Sequence, residues 1–132
     1  MNQTKLFTPK EANKTLPLVK RIVQDILRAG QRIRNISLEE RASAKGGSAS
    51  GGEADPEVTR YVDQLDTLFE ELEAIGCSYK DWNFSEGLVD FPSKVHGREV
   101  FLCWRSDEDE IKYYHDLESG FAGRKQIPEE YL

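Results

Sequence analysis

The side chains best equipped for chemistry gather near the C-terminal end of this 132-residue chain, where His115 stands beside Asp116 and close to Glu118 and Arg124. An imidazole next to carboxylates can act as a general base or ligate a metal, because its pKa lies near neutrality and a carboxylate can orient the ring. Arg98 and Arg124 can hold a carboxylate or phosphate. The Gly120-Phe-Ala-Gly123 turn before Arg124 can form a backbone nest whose N–H groups face an anion. The catalytic candidates are therefore His115 and Asp116, and the ligand-binding candidates Arg98, His115, Gly120, Gly123 and Arg124. A metal needs three or four convergent ligands, and His115 with Glu99, Cys103 or Asp116 supplies a mixed set only if the fold assembles them. No ligand spacing demands a metal, and none is assigned, nor any other cofactor.

Each candidate also has a plainer reading. His115 can be a half-buried histidine satisfied by backbone or by Asp116, and His96, next to Gly97, a turn residue. The Gly120 segment can be a tight turn with Phe121 anchored in the core and Arg124 paired with an acid. Cys103 has no base placed beside it and reads as an inert thiol. Asp90, between Val89 and Phe91, must find a partner if buried, for which Arg98 and Arg105 are the expected choices. The acidic run 107–110 lacks the glycine and spacing of a calcium loop and reads as a hairpin tip. Trp82, Trp104, Tyr113 and Tyr114 can line a pocket but fit a core at their alternating spacing.

The elements that must position these groups divide the chain in two. Thr8, Pro9 and Glu11 form an N-cap, a first-turn proline and a capping-box acid, so a helix begins at Pro9. Pro17 predicts a kink or break near Thr15, with a restart beyond it. Leu16, Val19, Val23, Ile26, Gly30 and Ile33 then recur at helical steps, broadened by Ile22, Leu27 and Ile36. Asp55-Pro56 opens a second helix, whose stripe of Val58, Val62, Leu65, Phe69 and Leu72 stops at Gly76. The two rods come out at about 36 Å and 30 Å, similar enough to pair. Between them, 43–54 reads as a flexible Gly/Ser linker with no phosphate-loop spacing. The expected organisation is one domain over 1–132: a helical hairpin (8–42 and 55–76), the linker, and a β-rich half, 77–132.

In that half, strands are expected at Cys77–Trp82, Leu88–Phe91, Glu99–Arg105 and Ile111–His115, with a His96-Gly97 turn. A four-residue loop, 106–109, would pair Arg105 with Glu110, Trp104 with Ile111, Leu102 with Tyr113, Phe101 with Tyr114 and Val100 with His115. Val100, Leu102, Trp104, Ile111 and Tyr113 would then share a face over the helices, opposite Glu99, Arg105, Glu110 and Lys112. The fold class is α+β, a long antiparallel helical hairpin packed on a small antiparallel β-sheet.

Charge narrows the function classes. Residues 1–45 carry a net +6 and residues 46–132 a net −12. The first helix bears Lys20, Arg21, Arg28, Arg32, Arg34 and Arg41, and the second a row of acids, so the two should complement each other rather than leave arginines for phosphates. Nucleic-acid binding through the first helix is the least favoured class. No stretch has the length and apolarity of a membrane span. Two cysteines and no basic, apolar leader point to the cytoplasm. Two amphipathic rods leave apolar surface to be finished by the sheet or by a second copy, so a homodimer is the expected partner.

The runs Gly-Leu-Val-Asp-Phe-Pro (87–92), Gly-Arg-Glu-Val-Phe-Leu-Cys-Trp-Arg (97–105), Tyr-Tyr-His (113–115) and Gly-Phe-Ala-Gly-Arg (120–124) resemble the bacterial domain of unknown function 2203 family. Phe7-Thr8, Glu11-Ala12-Asn13 and Leu16-Pro17 resemble its opening segment. The family is uncharacterised, so the resemblance implies no catalytic residues. The reading that results is a non-catalytic ligand-binding or protein-interaction module, self-associating, with a polar site of Arg98, His115, Asp116 and Arg124 for a small anionic ligand. Its rival is a small hydrolase or lyase, metal-dependent or not. It would use His115 as base, Asp116 or Glu118 to orient it, and Arg98 or Arg124 to hold an anionic substrate.

Overall fold

The computed structural model describes residues 5–43 and 55–132. The Gly/Ser-rich linker therefore lies almost wholly outside the described residues. Helix α1 spans Pro9–Ser43 and α2 spans Pro56–Ile75. A five-stranded antiparallel sheet follows in the order β1 (Ser78–Tyr79), β2 (Leu88–Val95), β3 (Arg98–Arg105), β4 (Tyr113–Asp116) and β5 (Lys125–Gln126).

Helix α1 opens with the expected capping box: Thr8 N–H donates to Glu11 Oε1 at 2.9 Å, and Glu11 N–H to Thr8 Oγ1 at 3.1 Å. It does not break at Pro17. All 35 residues are helical, which makes the rod about 52 Å long rather than 36 Å. The helix survives the missing N–H because its buried face, Ala12, Leu16, Val19, Val23 and Ile26, is continuous across the proline. Helix α2 keeps its expected ends, since Asp55 caps Glu57 N–H at 2.8 Å and Gly76, at φ 114°, closes back on Leu72. The helices are antiparallel: Glu57, at the start of α2, bonds Arg32, while Gly76, at its end, lies against Phe7. The expected charge complementarity narrows to that Arg32–Glu57 pair at 3.1 Å, the one ion pair between the two helices among the described residues. Leu65, Leu68 and Leu72 carry the helix–helix contact instead.

One face of the sheet covers this hairpin. Val89, Phe91, Leu102 and Trp104 join Val19, Val23, Ile26 and Leu72 in a shared core, so the Trp104 face packs where the alternation places it. The β2–β3 hairpin turns at His96 (φ 52°) and Gly97 (φ 76°), the double positive φ of a type I′ turn. Strand β2 runs four residues past Phe91 to Val95, and carries Pro92 where β1 no longer pairs with it. There Phe7 N–H bonds the Pro92 carbonyl at 2.7 Å and the Ser93 hydroxyl bonds the Phe7 carbonyl, so the segment before α1 seals the strand edge. Strand β1 shrinks to Ser78–Tyr79 because Asp81 ends it. Its carboxylate accepts from the N–H groups of Asn83, Ser85, Glu86 and Gly87 and folds 81–87 into a turn.

The β3–β4 register is one residue away from expectation. Val100 faces Asp116, Phe101 faces His115, Leu102 faces Tyr114 and Cys103 faces Tyr113. The cause is Asn13 of α1, whose side chain accepts from Ile111 N–H at 2.8 Å and donates to the Ile111 carbonyl at 3.3 Å. Ile111 keeps its buried side chain but leaves the ladder, so the connection lengthens to 106–112. Tyr114 now packs against the core, while Tyr113 and His115 turn to the opposite face.

Candidate functional site

That one-residue shift builds the site. On the sheet face away from the helices, Asp90 of β2 lies directly across from Cys103 of β3, and Tyr113 and His115 of β4 share their side. Three adjacent strands thus bring a carboxylate, a thiol and an imidazole together, with their ligating atoms all within 4.8 Å of one another. All three residues are buried.

The bonding within the cluster is specific. His115 Nδ1 lies 2.8 Å from the carbonyl of Asp116, an acceptor, so this nitrogen carries a proton and donates. His115 Nε2 lies 3.1 Å from Asp90 Oδ1, a contact that holds one further proton between ring and carboxyl. Burial pushes the Asp90 carboxyl up from the ordinary range, and the His115 charge opposes it. Burial pushes the Cys103 thiol up to about 12, the reverse of the lowering a reactive cysteine needs. The Asp90 charge reinforces that rise, while the Arg124 guanidinium opposes it.

Arg124 closes the cluster. Its guanidinium holds Glu108 in a two-pronged pair at 2.7 and 2.9 Å and rests 4.1 Å from the Tyr113 ring and 4.4 Å from the Phe121 ring. Glu108 is itself fixed by Arg105 N–H at 2.8 Å, and its carbonyl accepts from Trp104 Nε1 at 2.9 Å. Polar contacts therefore run from the Asp116 carbonyl through His115 to Asp90, and from Arg124 to Glu108, with Cys103 across the ladder from Asp90.

The residues singled out in the sequence are distributed as follows. His115 joins Cys103 in the cluster, Arg124 rests over the ring of Tyr113, the ladder partner of Cys103, and His115 touches Asp116 through that residue's backbone carbonyl. Arg98 stands apart, at the exposed start of β3, where it lines a shallow groove of about 450 Å³ with Glu99, Asp116, Leu117 and Glu118. Gly120 opens a 3-10 turn at φ 63°, and the N–H groups of Gly123 and Arg124 bond back to Gly120 and Phe121 within it. Asp90 pairs with His115 rather than with Arg98 or Arg105, since Arg105 is held by Asp107 at 2.6 Å. His96 is exposed and sits 3.9 Å from Glu130. Asn13, Asp81 and Glu108 were not foreseen. The turn formers after Asp81 were the one available signal, because the bonds of Asn13 and Glu108 depend on tertiary approach.

A larger groove, about 850 Å³, lies between the first turns of α1, the 109–112 segment and the C-terminal residues. Its α1 wall carries Lys10, Lys14 and Lys20 and no acid, while the facing wall is mixed, with Asp109, Glu110, Lys112 and Glu129. Leu16, Pro17, Ile127 and Leu132 supply its apolar surface. His115, Cys103 and Asp90 line neither groove.

No curated protein and no solved structure matches the chain. Residues 5–127 match the model of the family described as uncharacterized conserved protein (DUF2203), and over that span, nearly its whole length, the chain belongs to this family.

Proposed function

We propose that the protein is a non-catalytic binding module that holds a small amphipathic anion in the groove between α1 and the 109–132 segment. The observation that carries this reading is the α1 wall, whose charged groups are all basic: Lys10 and Lys14, one helical turn apart, and Lys112 opposite them line an apolar cleft and have no ion pair among the described residues. Charged groups around a concave apolar surface are what a carboxylate or phosphate with a hydrocarbon body needs. Among the described residues lining the groove there is no histidine, cysteine or hydroxyl side chain to act as nucleophile or imidazole base. His115, the base of the rival enzyme reading, is 4% exposed with both ring nitrogens engaged. That favours binding without turnover. The same reading includes self-association, supported by Trp82, which is 63% exposed and stacked edge-on against Phe69 and Tyr79.

The test is an NMR titration of the full chain with benzoate, phenyl phosphate and inorganic phosphate. Benzoate or phenyl phosphate should shift the Lys10, Lys14 and Lys112 amides and be recovered unchanged, and Lys10→Ala with Lys14→Ala should weaken binding by roughly ten-fold. Shifts confined to the Arg98 groove, or no shift with any probe, would overturn the assignment. Light scattering across protein concentrations, with Trp82→Ala as comparison, tests the self-association.

A further inference from the structure

We propose that Asp90, Cys103 and His115 form a buried binding site for a thiophilic divalent cation, zinc being the best chemical match, with a structural role. The donor set is one thiolate, one imidazole nitrogen and one carboxylate oxygen, the mixed N/S/O set that suits zinc rather than magnesium or calcium. Tetrahedral zinc holds such ligand atoms about 3.3–3.7 Å apart. His115 Nε2 and Asp90 Oδ1 are already 3.1 Å apart, and all three ligand atoms lie within 4.8 Å, so a side-chain adjustment closes the set.

Two further features fit a cation site better than a plain buried ion pair. His115 donates from Nδ1 to a backbone carbonyl, the outer contact that fixes a ligating histidine with Nε2 facing the metal. The charge balance also closes. Without metal, the cluster holds the Cys103 thiol proton and one proton shared by Asp90 and His115. A divalent cation displaces both, leaving thiolate, carboxylate and neutral imidazole, so two protons leave, a dication enters and the buried group stays neutral. Arg124 is already neutralised by Glu108 and adds no uncompensated charge.

The surroundings argue for a structural rather than a catalytic ion. Phe101 lies 5.7 Å from the His115 ring, Arg124 stacks over Tyr113 and Phe121, and neither groove is lined by the cluster. This site is separate from the lysine-lined groove, and either proposal stands or falls without the other.

The experiment uses untagged full-length protein, first produced in zinc-supplemented medium for elemental analysis, then stripped with chelator and incubated with Co²⁺. The expected result is one zinc per chain as isolated, a higher Tm than the stripped protein, and a thiolate-to-cobalt charge-transfer band in the near ultraviolet. Cys103→Ser should abolish that band and weaken affinity by at least about ten-fold, while Cys77→Ser, at the other buried thiol, keeps both. Should Cys103→Ser fail to fold, the wild-type cobalt spectrum and His115→Gln decide. No stoichiometric metal under either condition, cobalt bound without the thiolate band, or affinity unchanged in His115→Gln would each overturn the proposal.

Discussion

Both faces of the sheet bury side chains, yet they are built from opposite materials. Toward the helices, Val89, Phe91, Leu102 and Trp104 bury apolar surface, where tolerance is broad and energy follows area. On the other side, Asp90 and His115 bond each other and Arg124 pairs with Glu108, so each depends on where its partner sits. The apolar face stabilises the fold, while the polar face demands one particular register of β4. A slip of one residue would return Tyr113 to the helices and leave Asp90 buried without its imidazole.

The largest effect should come from the apolar face. Trp104→Ala removes a side chain 1% exposed and its bond to the Glu108 carbonyl, and should cost about 3–5 kcal/mol in a urea melt. A loss near that of an ordinary surface substitution would mean that the Trp104 face is not the core.

On the polar face, His115→Ala in metal-free protein leaves the Asp90 carboxyl buried without its partner and should cost about 3 kcal/mol. Replacing Asp90 and His115 together with Leu should recover most of that loss, and a double-mutant cycle measures the coupling. If the two single losses simply add, the polar face is no network and the contrast between the faces fails.

Asn13→Ala strips both partners from the Ile111 backbone at a fully buried position, for an expected cost of about 1–3 kcal/mol. It also sharpens the comparison, because cross-strand NOEs should show whether β4 shifts toward the Leu102–Tyr113 pairing once Ile111 is released. An unchanged register and unchanged stability would show that Asn13 does not set it.

The smallest effect concerns Asp81, at the sheet's β1 edge. Burial pushes its carboxyl up, but four backbone N–H groups, led by Gly87, outweigh burial and hold it below the usual carboxylate range. Its folded pKa is therefore lower than its unfolded value of about 3.9. The stabilisation it provides is present above that value and disappears as the pH falls through the folded pKa. Stability measured from neutrality into acid should fall less steeply in Asp81→Asn than in the parent, and identical slopes would remove Asp81 from the account.

Local signals proved reliable wherever a residue's partners were close in the chain. The Thr8–Glu11 box, the Asp55-Pro56 start, the Gly76 stop and the His96-Gly97 turn each rest on contacts within a few residues. Signals that needed a distant partner were lost or misread. Pro17 looked like a break because its cost is local, whereas the continuous buried face that outweighs it is not. In the candidate site, residue types were legible but neighbours were not: His115 and Arg124 stood out, yet the Asp90–His115 contact spans 25 positions and the Arg124–Glu108 pair spans 16.

From the amino-acid order alone came the two helices, the apolar face of the sheet and the α+β class, because periodicity and capping act over one or two turns of chain. Tertiary structure decided which way β4 faces. Asn13, 98 positions from Ile111, takes that residue's N–H and carbonyl out of the ladder, and the adjacent Tyr113 and Tyr114 give β4 no apolar–polar alternation that chooses between the two registers. That single pair of hydrogen bonds turns His115 away from the helices and toward Asp90 and Cys103.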